Sequence, residues 1–412
     1  MSTKATGNVP SLGLFLQTSL ASINDASGIL RVFMGGSNGE DMQTQYASDQ
    51  IDNGLTPHFY SEDYPKLVVA SSGENPALIS VAGENFNNSI IDFKRGALTI
   101  KASPTPSFPT NKGGAHVAMG DINGDGVVDY VYGSPTLLEP QVIVIDGQTG
   151  AELINLKLAE TTHKDGVFVA AGDVDQDGYA DIAISYGNGT NADAIEVYSG
   201  RRGFNLLAFK LSEAGAGKSP IAIGNVQGNA VPELIVSNGG AGVNHIRVYS
   251  LIKNPQWVQN DNDYSISPLI EKLASSITPT EAGMTHGGLY VATGEMNANG
   301  YDEIVAGSAI APTVAIYTGG GHGSEGQNYV LWTTYSLKDI PGNSAYAHGT
   351  HVAARPGQVI VGAGKGGSEV RIYSSSLLKT PVPGVSPILQ KFTPSNINRF
   401  GKPNPVRGIQ VG

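Results

Sequence analysis

A four-residue strand pattern, apolar at its first position, apolar in all but one copy at its third and mostly aromatic at its fourth, recurs along the whole chain of 412 residues. Successive copies lie roughly 50 to 70 residues apart, which leaves room for four short strands and their turns. Repeats of that size are typical of the blades of a β-propeller. Seven copies are present, at residues 30–33, 78–81, 142–145, 195–198, 246–249, 314–317 and 370–373.

Two further segments recur around this strand. A Val-Ala-x-Gly segment precedes most copies, and its small side chains suit the innermost strand of a blade. It occurs at 116–120, 168–172, 221–224, 290–294 and 351–354, and an outer strand follows the pattern at 206–210, 329–332 and 388–392. The sequence therefore predicts a single all-β domain over residues 1–412, a seven-bladed β-propeller of four-stranded blades. We expect residues 406–411 to pair with the N-terminal blade, formed by 12–16 and 29–33, and to close the ring.

Two nonapeptides follow inner segments and place oxygen side chains at positions 1, 3, 5 and 9, with glycine at position 6. This spacing wraps a loop around a hard cation, for which calcium is the natural occupant. An EF-hand is excluded, because its loop needs a glutamate at position 12, where this chain has Tyr132 and Ile184. The predicted ligands are Asp121, Asn123, Asp125 and Asp129 in the first loop, and Asp173, Asp175, Asp177 and Asp181 in the second.

Two later copies of the loop have lost part of this donor set. The third, at 225–233, has neutral amides at positions 1, 3 and 5 and no glycine at position 6, so we predict no metal there. The fourth keeps the glycine and is predicted to be a third, weaker calcium site with ligands Glu295, Asn297, Asn299 and Glu303. For every loop the competing interpretation is an Asx-rich turn held by its own side-chain to backbone hydrogen bonds.

The composition excludes several classes of protein. A formal net charge of −11 and the lack of any Lys/Arg run argue against a nucleic-acid partner. With no cysteine, disulfides and thiol chemistry are absent. No apolar stretch is long enough for membrane insertion, and the first ten residues lack the features of a signal peptide. A helix is predicted only at Pro268–Ala274, from its apolar spacing.

Histidines recur just before the inner segments, at His163, His286 and His348. In a propeller they would lie near one mouth of the central channel, where one hypothesis has them bind a transition metal or an anionic ligand. The competing interpretation is that each caps its own turn. Catalysis is not expected, since the chain has no Gly-x-Ser-x-Gly elbow, no His-Glu-x-x-His helix and no cysteine.

The inner segment, the nonapeptide and the Val-Tyr strand together resemble the FG-GAP and VCBS repeats, which include the propeller of integrin alpha subunits. The resemblance is strong over about residues 114–203, degenerate over about 219–376 and faint before 114. It implies calcium in the first two loops, with backbone carbonyl ligands at Val127 and Tyr179. Proteins similar to this are typically extracellular and adhesive or carbohydrate-binding, although some enzymes carry the repeats.

The sequence therefore predicts a non-enzymatic, calcium-stabilised recognition or attachment module outside the cell, which binds a glycan or a surface protein of a cell or virion. Two alternatives stay open: a structural or spike component of a virus particle, and a carbohydrate-active enzyme on a propeller scaffold. Loops of this affinity class suit the millimolar calcium outside cells. An extracellular protein without a signal peptide fits a shortened chain, another export route, or a virion component released by lysis.

Overall fold

The computed structural model describes part of the chain, and its contacts divide into two compact units. The described residues are 21–24, 29–33, 43–45, 66–71, 79–83, 101–102, 116–126, 128–134, 140–158, 166–187, 192–201, 206–214, 219–229, 231–240, 242–256, 268–297, 299–319, 329–337, 349–364, 369–392 and 409–411. The first unit comprises Met1–Leu67 and Val81–Lys101, and the second comprises Val68–Ser80 and Ala102–Gly412.

The described residues form 27 strands and one short helix. The strands are β1 (Ala21–Asn24), β2 (Ile29–Phe33), β3 (Gln43–Gln45), β4 (Lys66–Ser71), β5 (Ile79–Gly83), β6 (Lys101–Ala102), β7 (His116–Gly120), β8 (Asp129–Gly133), β9 (Gln141–Ile145), β10 (Glu152–Lys157), β11 (Val167–Gly172), β12 (Asp181–Gly187), β13 (Ala192–Tyr198), β14 (Leu206–Ala214), β15 (Ile221–Gly224), β16 (Glu233–Ser237), β17 (Ile246–Lys253), β18 (Leu269–Ile277), β19 (Leu289–Gly294), β20 (Glu303–Ser308), β21 (Thr313–Thr318), β22 (Val330–Ser336), β23 (Thr350–Arg355), β24 (Gln358–Ala363), β25 (Val370–Ser374), β26 (Ile388–Phe392) and β27 (Ile409–Val411); the helix is α1 (Ser375–Lys379). In the described part of the chain, no helix has the length and hydropathy that crossing a membrane requires.

The second unit contains five antiparallel blades of four strands, and the fold is therefore an all-β propeller. Chain order runs from the inner to the outer strand in each blade, with β7 to β10 in the first blade and β23 to β26 in the fifth. The second and third blades share one eight-stranded sheet, because their outer strands β14 and β18 meet in parallel at Ala208 and Leu269. The predicted inner segments at 116–120, 168–172, 221–224, 290–294 and 351–354 all lie in inner strands, as predicted.

Hydrophobic cores lie between neighbouring blades. The second strands β8, β12, β16 and β20 are buried along their whole length, and β12, β16 and β20 contribute side chains to a core on each of their two faces. One core joins Val131 of the first blade to Ile184 of the second, and another joins Ile235 of the third to Ile304 of the fourth. The outer strands β10 and β22 alternate between exposed and half-buried residues. Stability is thus built from one blade to the next, as in other repeat proteins.

The prediction of seven blades is wrong, because the described residues form five blades of four strands. The described residues of all seven copies of the marker pattern lie in strands, but the copy in β5 belongs to a four-stranded sheet, ordered β27, β4, β5 and β6, whose first strand comes from the end of the chain. No Val-Ala-x-Gly segment precedes the first two copies. In the first unit, the marker strand β2 lies instead in a three-stranded antiparallel sheet, between β1 and β3.

The last strand has a different partner from the one predicted. β27 pairs antiparallel with β4, from Ile409 opposite Ser71 to Val411 opposite Val69, whereas the expected partner at 29–33 pairs with β1 and β3. Residues 12–16 lie outside the described part of the chain. Within its unit, β27 also contacts the inner strands β7 and β23. Closure of the ring stays a prediction, and so does the assignment of residues 1–412 to one domain.

The helix predicted at Pro268–Ala274 is also wrong. Those residues begin β18, which pairs with β17 from Lys253 opposite Leu269 to Ile246 opposite Ile277. A short run of apolar residues at helical spacing carries little weight against a long partner strand, which pairs with every residue of β18 except Ala274.

Deleting residues 406–412 tests the role of β27. We expect a lower melting temperature and a less cooperative transition, because the deletion leaves one edge of β4 unpaired and removes a neighbour of β7 and β23. Thermal unfolding followed by circular dichroism measures the effect, with deletion of Gly412 alone as the control. An unchanged melting temperature after the longer deletion would mean that β27 contributes nothing to the fold.

Candidate cation loops

Four equivalent loops join the first and second strands of the first four blades, and each has a buried acid at position 9. Asp129, Asp181, Glu233 and Glu303 begin the second strands and are at most 1% exposed. Each carboxylate accepts the backbone N–H of position 2 of its own loop: Ile122 at 2.8 Å, Val174 at 2.9 Å, Val226 at 3.0 Å and Met296 at 2.7 Å. This hydrogen bond gives the four loops a common shape.

In the first two blades the same acid also reaches the turn between the third and fourth strands. The second oxygen of Asp129 accepts the N–H of Gly147 at 2.9 Å, and that of Asp181 accepts the N–H of Gly200 at 3.2 Å. Gly200 has no room for a side chain, since a Cβ there would overlap two backbone carbonyl groups. One carboxylate therefore fixes both turns at this end of its blade.

The second loop holds a cluster of three further carboxylates. Asp173, Asp175 and Asp177 each place an oxygen within 4.8 Å of the others, and all three residues are half-buried. Asp173 accepts the N–H groups of Asp177 at 3.0 Å and Gly178 at 2.9 Å. Oδ2 of Asp177 is buried and has no hydrogen bond. Hard oxygen donors at this spacing, one of them buried with no donor group, fit a calcium ion.

The pKa values of Asp129, Asp173 and Asp181 are raised, because ionised carboxylates are costly to bury close to one another. Burial, with the charge of Asp175 as a smaller cause, raises the pKa of Asp181 to about 8. Burial also raises the pKa of Asp129 to about 6 and raises that of Asp173. Like charges in a half-buried site oppose each other's ionisation, whereas an opposite charge favours it. A bound cation would therefore favour the ionised form of the whole cluster at neutral pH.

The first loop arranges its donors by backbone hydrogen bonds. Asp121 accepts the N–H groups of Gly124 at 2.8 Å, Asp125 at 3.1 Å and Gly126 at 2.8 Å. The amide of Asn123 accepts from the N–H of Asp125 at 2.9 Å and donates to its carboxylate at 3.3 Å. Val127, the implied carbonyl ligand, lies outside the described residues. These bonds belong equally to an Asx-rich turn and to a preformed cation loop.

The fourth loop satisfies its buried acid with side-chain amides. Asn297 and Asn299 donate to Oε1 of Glu303 at 2.7 and 3.1 Å, and the hydroxyl of Thr318 donates to the same oxygen at 3.0 Å. Glu295 accepts the N–H of Gly300 at 2.6 Å. In the fourth loop, side-chain amide groups thus donate to the buried acid, whereas in the second loop three further carboxylates lie near it.

Neighbouring loops are also joined to each other. Position 8 of a loop or turn donates its N–H to the carbonyl of position 1 in the preceding blade; these links run from Ala180 to Asp121 at 2.7 Å, from Asp302 to Asn225 at 2.9 Å and from Gly357 to Glu295 at 2.7 Å. In the third loop this position is Pro232, which has no N–H to donate. The hydrogen bonds therefore tie the first loop to the second, the third loop to the fourth, and the fourth loop to the turn of the fifth blade, while the second and third loops lack this link.

Ring packing reinforces the first two of these links. Tyr179, at position 7 of the second loop, lies against Gly124 of the first loop, and the guanidinium of Arg201 lies 5.6 Å from the ring centroid of Tyr179. Tyr301 of the fourth loop packs in the same way on Gly228 of the third. The side chain of Tyr179 thus has a packing role in addition to the carbonyl role that the resemblance implies.

The second loop lies in a segment that matches a known protein family. Residues 166–199, which contain this loop, match the FG-GAP repeat. Integrin alpha-8 of Gallus gallus is 27% identical over 260 residues, which cover 51% of this chain and 24% of the relative. The chain therefore contains an FG-GAP repeat and is similar to an integrin alpha subunit over about half of its length. It spans about a quarter of the length of that relative.

Solved structures similar to the FG-GAP propeller are distant. The rhamnogalacturonan lyase PL11 of Bacillus licheniformis is 10% identical, with a TM-score of 0.39, over 90% of this chain and 68% of that one. The WD40 repeats of RRP9 are 12% identical, with a TM-score of 0.39, over 74% of this chain and 72% of the other. Likenesses this distant have no bearing on function.

The predicted histidine group is only partly described. His286 is exposed, its Nδ1 lies 3.1 Å from the hydroxyl of Thr285, and its backbone bridges to Val243. That position agrees with the interpretation of a histidine within its own turn. His163 and His348 lie outside the described residues. Sequence reasoning missed Phe168 and Tyr290, whose signal is their position immediately before Val-Ala in the inner strands.

Position 4 of the FG-GAP loops allows a matched test of the loop pairing. Gly124 has φ +74°, and a Cβ there would overlap the ring of Tyr179, whereas Gln176 occupies the same position of the second loop with φ 60°. We expect Gly124→Ala to lower the free energy of unfolding by about 2 kcal/mol or more, from backbone strain and steric overlap together. Urea unfolding measures this change.

Gln176→Ala is the control for the glycine substitution. Alanine and glutamine have the same backbone cost at positive φ, so this change should alter the free energy of unfolding by less than about 0.5 kcal/mol. Equal effects of Gly124→Ala and Gln176→Ala would show that the contact between Tyr179 and Gly124 does not stabilise the loops.

Proposed function

We propose that this FG-GAP propeller is a recognition or attachment module that binds a glycan or a protein on a cell or virion surface, without catalysis, while calcium in the first two loops stabilises it. The arrangement of Asp173, Asp175 and Asp177 beside the buried Asp181 supports the calcium assignment most directly. Clustered carboxylate oxygens are the hard ligands that calcium prefers.

The residues that would hold calcium divide between the two loops. Asp121, Asn123, Asp125 and Asp129, with the carbonyl of Val127, would serve in the first; Asp173, Asp175, Asp177 and Asp181, with the carbonyl of Tyr179, would serve in the second. A bound ion supplies positive charge that offsets the repulsion within each group. Glu295, Asn297, Asn299 and Glu303 would form a third and weaker site, with less charge to attract an ion.

The partner would meet the end of the propeller opposite the cation loops. At the loop end, backbone hydrogen bonds and ring packing already occupy the turns, as the contacts of Ala180 and Tyr179 illustrate. Likeness to an integrin alpha subunit over half of the chain supports a protein or surface partner. A location outside the cell suits the calcium loops, since calcium there is millimolar.

Binding of the fluorescently labelled chain to a glycan array and to cultured cells tests this function. We expect retention on at least one of these surfaces in millimolar calcium and its loss in EDTA, because the fold that presents the binding face depends on the ions. The Asp175→Asn/Asp177→Asn variant should lose part of the retention. The Glu152→Gln variant, which removes an exposed carboxylate on the outer strand β10, is the matched control and should keep it.

Two results would contradict the proposal. Folded, calcium-loaded protein that is retained on neither surface would remove the recognition role. Release of sugar fragments from the array would instead favour the carbohydrate-active enzyme.

A further inference from the structure

One position of the repeat carries a ring in all five blades. It lies immediately before the Val-Ala or Ile-Ala pair of each inner segment, where the chain has His116, Phe168, Pro220, Tyr290 and His351. Four of these rings form a chain of contacts. The distances between ring centroids are 4.0 Å from His116 to Phe168, 6.4 Å from Phe168 to Tyr290 and 4.0 Å from Tyr290 to His351. We call His116, Phe168, Tyr290 and His351 the ring collar.

The ring collar lies at the end of the inner strands opposite the cation loops. Each inner strand starts at or next to its ring and ends, four residues later, where its loop or turn begins. At about 3.3 Å per residue, the collar is roughly 13 Å from the first loop residues. Phe168 and Tyr290 belong to the second and fourth blades, and their 6.4 Å contact shows that the rings converge from blades that are not neighbours. The collar is therefore separate from the cation loops.

A cavity of about 170 Å³ lies among the same strands and is bounded by all five blades. The collar lines it at one end, and small apolar side chains such as Ala118, Ala170 and Ala222 continue the wall. The volume equals about five or six water molecules at their liquid density. It suits one small ring and excludes a folded segment of another protein.

The chemistry of the wall selects a neutral ligand. Apart from the imidazoles of His116 and His351, the described residues that line the cavity include no ionisable acid or base of the Asp, Glu, Lys or Arg type, so a charged ligand would lose its hydration without gaining a permanent counter-charge. The ring faces favour flat apolar surfaces, and the phenol of Tyr290 both donates and accepts hydrogen bonds. Burial raises the pKa of Tyr290 to about 12, so its proton stays in place at neutral pH. A sugar ring has both features: C–H faces that stack on aromatic rings, and hydroxyl groups around its edge.

We propose that the cavity behind the ring collar binds a single neutral sugar ring, stacked on Phe168 and hydrogen-bonded to Tyr290. This inference rests on the proposed recognition function and assigns its ligand class and its site. In this proposal the terminal sugar of a glycan binds in the central cavity and not on the outer surface of the blades.

Titration of the calcium-loaded chain with methyl glycosides tests the site. The probes are methyl glucoside, galactoside, mannoside and fucoside, with methyl glucuronoside as the charged comparator, followed by saturation-transfer NMR. We expect one of the neutral glycosides to bind and the charged one to bind at least about tenfold more weakly. Phe168→Leu should weaken the neutral glycoside about tenfold through lost stacking, and Tyr290→Phe about fivefold through a lost hydrogen bond.

Trp332→Ala is the matched control, because Trp332 lies on the outer strand β22, where its ring lies 5.5 Å from the ammonium of Lys379. It should leave glycoside affinity within about twofold. Melting curves of each variant show that the fold is intact, and both collar substitutions keep an apolar side chain of similar size. The inference is overturned if no neutral glycoside binds the folded chain, or if Trp332→Ala abolishes binding while both collar variants keep it.

The two proposals fail separately. Retention on the array or on cells that is unchanged in Phe168→Leu and Tyr290→Phe would leave the recognition function standing and overturn the collar as its site. Glycoside binding that disappears in both collar variants, together with array retention, supports both proposals at once.

Discussion

The architecture of this propeller depends on the hydrogen bonds that a buried acid at position 9 of each loop accepts from the loop backbone. The acid appears at Asp129, Asp181, Glu233 and Glu303, in loops whose other donors range from three carboxylates in the second loop to three neutral amides in the third. Each carboxylate takes backbone N–H groups of its own loop at the entrance to a second strand that is buried on both faces. Without that acceptor, the orphaned N–H groups would be left unpaired next to the core, at a cost of about 1–3 kcal/mol per group.

A buried carboxylate loses its hydration, and donor groups or a cation must offset that loss. The fourth and second loops differ in which of these their side chains suit. The fourth loop brings the amides of Asn297 and Asn299 to Glu303, so the charge is held by neutral donors. The second loop adds three carboxylates next to Asp181, and a bound cation would offset their mutual repulsion. Links such as Ala180 to Asp121 connect neighbouring loops, so the state of one loop bears on the next. In the proposed function calcium is a structural ion, and the opposite end of the propeller serves recognition.

Repetition made the blade strands and loop positions predictable, because a period of small inner residues and a nonapeptide with fixed donor spacing are local signals. The number of blades was not, since the marker strand at 29–33 has the same pattern as those in complete blades and differs only in what precedes it. The strand at 269–277 was missed because its partner, β17, decides its conformation. The ring collar could not be read from any one repeat: His116, Phe168 and Tyr290 look unrelated in sequence and meet only around a common cavity.

Calorimetry of the chain in millimolar calcium and in EDTA shows whether the acidic loops need a cation. If they do, native mass spectrometry should find two tightly bound ions, and calcium should raise the melting temperature by at least about 5 °C. About half of that gain should disappear in the Asp175→Asn/Asp177→Asn variant, and none of it in Glu152→Gln, which alters an exposed carboxylate on the outer strand β10. A melting temperature that EDTA does not move, with no ion bound to the folded chain, would show that the loops keep their shape without a metal.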